Sequence, residues 1–199
     1  MTAATGTLSS ATVHEAAGRT GALPSAIKPV HPDMHVQGPA FPVRMPAGDN
    51  LWLHRAVVAA RPGEILVVDC GGGFEHGYFG EVLAEAALAR GLAGLVIHGG
   101  VRDSRRLAEI GWPVFAERVC IRGTGKDPRG GGLGEPVVIG EVEVGLGDLI
   151  VADADGVVCV PADRAAAVGA ASAAREEAEQ GYLTRLRAGE TTLEIYGLS

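Results

Sequence analysis

Two short apolar runs, residues 64–69 (EILVVD) and 95–97 (LVI), flank an alanine-rich stretch with glycines at either end. Strand-length runs around a helix-length segment predict a βαβ unit with a right-handed parallel crossover. The first run ends in Cys70 and the glycines at 71, 72 and 73, where backbone can approach a ligand closely. The helix starts after Gly80 and stops at Gly91. The second run leads through Gly99 and Gly100 to Arg102 and Asp103. A helix packed back onto a strand returns the chain to the level where it began. Glu81, Arg102 and Asp103 are therefore expected to converge on one pocket, beside the unpaired amides of a helix N-terminus. Two carboxylates and a guanidinium together suit a divalent metal and a small carboxylic acid.

The flanking sequence supplies the rest of an α/β fold. Ser9 or Ser10 caps a short helix through Ala17. Residues 23–46 carry prolines at 24, 29, 32, 39, 42 and 46, which exclude a long helix. Within them, residues 36–44 read as an edge strand, because proline cannot donate to a ladder. Asp49 or Asn50 caps a helix over 51–60, and Asp103 or Ser104 caps one through Ile110. Residues 114–116 read as a strand, 136–139 and 141–144 as a hairpin, and 148–152 and 157–160 as strands joined by a tight turn. A long helix follows Pro161 to Arg187, with a break near Gly181. Residues 1–8 read as frayed. Residues 188–199 have too little local structure to stand alone and are expected to dock on a neighbouring surface. The sum is one layered α/β domain over 1–199, with a β-rich half.

Composition narrows the function classes. The apolar fraction of 47% supports a sizeable core, and aromatics at 5% make it a core of Ala, Val and Leu. A net charge of −7 argues against nucleic-acid binding, which needs a basic surface. Three scattered cysteines without a CxxC fit free thiols in a reducing cytosol. No basic start precedes an apolar leader and no apolar run is long enough for a bilayer, so a soluble, cytoplasmic protein without membrane partners is expected.

Other motifs are weaker. The loop 122–134 (RGTGKDPRGGGLG) resembles a phosphate loop, but Lys126 is followed by Asp127 and the required register is absent. Arg122 and Lys126 could supply local charge; a flexible surface loop is the simpler reading. His54, His76 and His98 read as packing or capping residues, with His76 and His98 placed to edge the pocket. No GxSxG and no Cys–His pairing supports nucleophilic catalysis. Asp103 could be a plain N-cap and Arg102 a surface ion-pair donor. Their place at the C-terminal end of a strand, where α/β folds collect ligands, favours a site.

GYFGEVLAEAALARGLAGLVIHGGVRD, followed by WPVFAE, RGTGK, GDLIVADADGVVCVP and LRAGETTLEIYGL, resembles the metal-dependent pyruvate aldolases typified by 4-hydroxy-4-methyl-2-oxoglutarate aldolase. That family also includes the regulator of ribonuclease activity A proteins. The resemblance runs from about residue 10 to 198. Its motif, an acid, twenty residues and Arg–Asp, is met by Glu81, Arg102 and Asp103. The resemblance implies a layered α-β-β-α sandwich with a mixed central sheet, of the swivelling β/β/α type. It implies a homotrimer or homohexamer with sites between subunits. Asp103 would bind Mg²⁺ or Mn²⁺ directly, and Glu81 through water. Arg102 would pair with the substrate's carboxylate and carbonyl. The amides of Val82 and Leu83, beside Gly80, would hold the carboxylate. A glutamate of a neighbouring subunit's C-terminal helix, from Glu176, Glu177 and Glu179 with Glu179 preferred, would complete the water shell.

Two positions depart from the family pattern. Glu81 stands where Asp is commoner, and His98 where an acid is frequent. The activity implied is class II pyruvate aldolase chemistry on small 2-oxo acids, with oxaloacetate decarboxylation as a second activity. The alternative is a non-enzymatic regulator that docks a basic partner segment.

Overall fold

The structure, a computed structural model, describes residues 7–198. The expected fraying of 1–8 falls mostly outside them. Of the remainder, Leu8 is tied in: it packs on a small apolar cluster, and its N–H donates to Gln37 Oε1 at 3.0 Å.

In chain order the elements are α1 (Ser10–Ala16), β1 (Lys28–Pro29), β2 (Val36–Arg44), α2 (Leu51–Ala59), β3 (Ile65–Asp69) and β4 (Gly77–Phe79). Then come α3 (Glu81–Ala89), β5 (Gly94–Val101), α4 (Ser104–Ile110), β6 (Val114–Val119), β7 (Gly132–Leu133), β8 (Val137–Ile139) and β9 (Val142–Val144). The chain ends through β10 (Leu149–Asp153), β11 (Gly156–Val160), α5 (Ala165–Arg187) and α6 (Thr192–Tyr196).

The main sheet runs β1-β6-β5-β3-β2-β10-β11, with β4 added on β5 and β7 on β2; β8 and β9 pair separately. Its centre is parallel: β2 with β3, β3 with β5, β5 with β6. The β10–β11 and β10–β2 pairs are antiparallel. Leu23 N donates to Val157 O and Cys159 N to Gly21 O, so the chain leading into β1 lies along β11 and the sheet nearly closes. This is the expected layered α/β architecture with a mixed central sheet.

Burial explains the sequence pattern. Ile65, Leu66, Val67 and Val68 of β3 and Leu95, Val96 and Ile97 of β5 are all fully buried. Strands covered on both faces read as continuous apolar runs rather than alternations. A second cluster, with Val13, Val151, Val158, Val160 and Val168, lies under α1 and α5.

Three expectations need correction. The strand 36–44 is interior, with β3 on one side and β10 on the other. Its prolines fit because neither is asked for an N–H: Pro39 ends the ladder with β10, and Pro42, inside the ladder with β3, falls between the β10 and β7 pairings on the other side. Pro39 precedes Ala40, where pairing with β3 begins. Pro42 faces the side where Ala40 bonds Asp148 and Gly147, and there only its carbonyl is used, by Gly134 N. The long helix does not break at Gly181; the good helix formers around it outweigh a glycine penalty of about 1 kcal/mol. The tail also has structure of its own. Thr191 and Glu194 form a capping box that starts α6, and Tyr196 folds edge-on against Tyr182 at 5.6 Å.

Phe79 is fully buried and stacks on Trp112 at 5.6 Å, immediately before the head of α3. Phe79→Ala is expected to lower unfolding free energy by about 3–5 kcal/mol, measured by urea denaturation.

Candidate functional site

The site forms where the ends of β4 and β5 run side by side. Gly77 lies opposite Gly100 and Phe79 opposite Val101. Arg102 N donates to Phe79 O at 2.8 Å, which fixes the next residues of both segments against each other. Two glycines make this approach possible. A Cβ on Gly77 would stand 2.3 Å from Cys120 O and 2.9 Å from Arg102 Cβ. One on Gly80 would stand 2.3 Å from Asp103 Oδ2 and 2.9 Å from Arg102 Cγ.

Gly80 is the N-cap of α3 and supplies no capping side chain. Asp103 takes over part of that work, its Oδ2 accepting from Glu81 N at 3.1 Å. The next amides, on Val82 and Leu83, have no intrahelical acceptor and carry the positive end of the helix dipole. Asp103 is itself the N-cap position of α4, with a left-handed φ of 55°. Asp is among the few residue types that occupy this region readily. The conformation keeps Asp103 Oδ2 3.6 Å from Arg102 Nε.

A cavity of about 340 Å³ opens beside these groups. One wall is Gly80, Val82, Leu83 and Arg102; the other carries Asn50, His54, Tyr78, Gly123, Thr124 and Lys126. A larger depression, about 490 Å³, lies between residues 46–49 and 127–130 and touches neither Arg102 nor Asp103. Arg102 and the head of α3 line the smaller one, and Asp103 and Glu81 line neither.

The far wall departs from the sequence reading. The loop at 122–134 is pinned at its start: Gly77 N donates to Arg122 O, Gly125 N to Gly48 O, and Asn50 N to Gly125 O. Lys126 Nζ donates to Asn50 Oδ1, and Asn50 Nδ2 donates to Tyr78 O at 2.6 Å. Lys126 therefore faces the cavity rather than riding on a flexible loop. His54 also lines it, contrary to the packing role expected. Burial, and then the charge of Lys126, push its pKa down, which favours the neutral imidazole. His76 and His98 do not line the cavity. His76 lies against the Tyr78 ring at 5.7 Å, and His98 against Phe74 at 4.9 Å with Nε2 3.4 Å from Glu117 Oε2.

Glu81 and the C-terminal glutamates are also placed. Arg106, which the sequence did not single out, pairs with Glu81 through Nε at 3.0 Å and Nη2 at 2.9 Å. Glu179 pairs with Arg175 one turn earlier at 2.9 Å. Neither Glu176, Glu177 nor Glu179 lines the cavity of its own chain.

Among the described residues no group of three or more His, Cys, Asp or Glu is gathered to hold a metal. One chain offers Asp103 and Glu81, on a cradle that any side chain on Gly80 would fill. That donor set fits Mg²⁺ or Mn²⁺, hard ions that keep most of their water and take one or two carboxylates.

The nearly closed mixed sheet is shared with solved structures of RraA-like proteins. The chain belongs to the RraA-like family, described as Aldolase/RraA, the match covering residues 6–159. A protein of Halalkalibacterium halodurans named "Putative 4-hydroxy-4-methyl-2-oxoglutarate aldolase" is 36% identical over 139 residues, 70% of this chain and 66% of that protein. The chain thus spans just under two thirds of that relative's length. A crystal structure of an uncharacterized protein from Pseudomonas syringae superposes with a TM-score of 0.85 at 25% identity, covering 96% of this chain and 90% of the other. The RNA-processing inhibitor RraA from Thermus thermophilis superposes at 0.70 and 27% identity, covering 77% and 92%. The relatives' names point to a lyase, in a family that also holds an RNA-processing inhibitor. Among the described residues no helix is long and apolar enough to cross a membrane.

The thiols are poor nucleophiles. Burial pushes Cys70 well up, Cys159 to about 12, and Cys120 up. A raised thiol pKa leaves less thiolate at a given pH. A disulfide reagent at pH 8 is therefore expected to label native protein slowly, at Cys120 first and faster as pH rises. All three thiols should react after unfolding. Rapid native labelling of Cys70 would contradict this placement.

Proposed function

We propose that this protein is a divalent-metal-dependent lyase of 2-oxo acids, an aldolase of the 4-hydroxy-4-methyl-2-oxoglutarate type that also decarboxylates oxaloacetate. The observation that carries the reading is that Arg102 and the head of α3 line one cavity with Lys126 across it, while Asp103, outside the lining, accepts from Glu81 N and lies 3.6 Å from Arg102 Nε. Mg²⁺ or Mn²⁺, held by Asp103, would act as a Lewis acid favouring the pyruvate enolate. The amides of Val82 and Leu83 take the substrate's 1-carboxylate at the helix start. Arg102 places positive charge where negative charge grows on the 2-oxo oxygen. Lys126, steadied by Asn50, suits an acidic group at the substrate's far end. Glu81 would take up the 4-hydroxyl proton of an aldol substrate through water.

Assembly belongs to the same proposal. Only Val168 and Ser172 of α5 are buried, and Leu183, Leu193 and Tyr196 are exposed at its end and on α6. A helix this uncovered supports a homotrimer or homohexamer in which Glu179 reaches a neighbour's site.

Pyruvate release from oxaloacetate with Mg²⁺, followed by a coupled dehydrogenase assay, tests the reading. Arg102→Ala and Asp103→Ala are each expected to reduce kcat/KM by about 100-fold or more, the scale of losing a charge-stabilising donor, with unchanged circular dichroism. Near-wild-type rates in both variants would refute the site. No metal-dependent release by the wild type would favour a regulator like the RNA-processing inhibitor.

A further inference from the structure

The cavity is lined by two cations and no acid, with Arg102 on one wall and Lys126 on the other. Arg102 Nε already has Asp103 Oδ2 at 3.6 Å. Lys126 has no such neighbour. Among the described residues no carboxylate pairs with it, and the adjacent Asp127 is taken by Arg129 at 2.6 Å. Its polar partner is Asn50 Oδ1. An ammonium carries three N–H donors, so two remain for a ligand. Asn50 is 7% exposed and fixed twice more, its Nδ2 donating to Tyr78 O and its backbone N–H to Gly125 O. It keeps the ammonium at this wall, where the charge is not neutralised within the chain.

We infer that Lys126 is a specificity-determining residue that pairs with the far carboxylate of a 2-oxo dicarboxylate and so favours retro-aldol cleavage over decarboxylation. The inference rests on the lyase reading above. In both reactions the C3–C4 bond breaks and its electron pair enters the pyruvate enolate, which then takes a proton from solvent at C3. They differ in the fate of the far carboxylate. In oxaloacetate it is the leaving group: its negative charge passes into the enolate and it departs as neutral CO₂. In 4-hydroxy-4-methyl-2-oxoglutarate it is attached to C4 and stays there. The 4-hydroxyl gives up its proton, C4 becomes a carbonyl, and the fragment leaves as a second pyruvate with its carboxylate still charged. A cation on that carboxylate stabilises the retro-aldol substrate and transition state alike. With oxaloacetate it stabilises the substrate more than the transition state, and the difference slows the chemical step. The flexible four-carbon stem of lysine can follow a carboxylate one carbon nearer or farther.

Lys126 is exposed, so the expected effect is about tenfold, the low end for a hydrogen bond to a charged group. The experiment measures single-turnover kinetics with Mg²⁺ on both substrates in wild type, Lys126→Met, Lys126→Arg and Arg122→Met, so that the saturating rate reports the chemical step. In Lys126→Met the apparent Kd should rise by that factor for both substrates. The saturating rate should hold for the retro-aldol substrate. For oxaloacetate it should rise in step with Kd, leaving the ratio of rate to Kd near wild type. A loop merely disordered by the substitution would lower both reactions. Lys126→Arg keeps the charge and should keep the wild-type pattern. Arg122→Met removes a charge from the same loop outside the cavity lining and should not produce the split. An equal fall in both reactions, a decarboxylation rate that does not rise, a Lys126→Arg protein that behaves like Lys126→Met, or the same split in Arg122→Met overturns the inference. Independently of turnover, calorimetry with Mg²⁺ compares 2-oxoglutarate, which has a far carboxylate, with pyruvate, which lacks one. Wild type should prefer 2-oxoglutarate by about tenfold and Lys126→Met should not; a wild type without this preference overturns the contact. A wild type that releases no pyruvate from either substrate overturns the lyase reading, and the reaction preference with it, while calorimetry still decides whether Lys126 holds a far carboxylate.

Discussion

The site depends on one close contact between two backbone segments. The Arg102 N–H reaches the Phe79 carbonyl only because Gly77 and Gly80 carry no side chain at the crossing. That contact sets the head of α3 beside the head of α4, so Asp103 can cap the first helix while sitting at the start of the second. A methyl group at either glycine would meet backbone or the Asp103 carboxylate well inside van der Waals distance. Glycine is needed here for space rather than for backbone freedom, since Gly80 has an extended φ.

The second wall of the cavity is held by polar contacts rather than by packing. Asn50 joins three segments: it takes a hydrogen bond from Lys126, gives one to the Tyr78 carbonyl, and bonds Gly125 through its backbone. Tyr78 is itself anchored, its hydroxyl accepting from Gly48 N at 2.8 Å and donating to Gly73 O at 2.6 Å. Burial pushes the Tyr78 pKa up, so the hydroxyl keeps the proton that this network uses.

The first wall was legible in the sequence and the second was not, for a physical reason. The βαβ unit writes its geometry locally: apolar runs, glycine stops and a helix of known rise place residue 81 near residues 102 and 103. Lys126, Asn50 and His54 meet through pairing of the loop at 122–127 with the start of α2, and no local periodicity encodes that pairing. The Arg106 contact was missed because a guanidinium on one helix reaching another helix leaves no spacing signature. The edge-strand reading of 36–44 failed for a related reason: proline forbids a donor at one position on one side, not a neighbouring strand. Gly181 and the tail were misjudged because good helix formers and a capping box outweighed a single glycine and a short length.

The Lys126–Asn50 contact joins residues 76 apart in the chain. Closures of that length form late, since the entropy of a large loop is spent before the contact repays it. The cavity therefore has no existence in a half-folded chain. An anion that bound this cavity, as proposed, would meet its site only once these distant segments had closed.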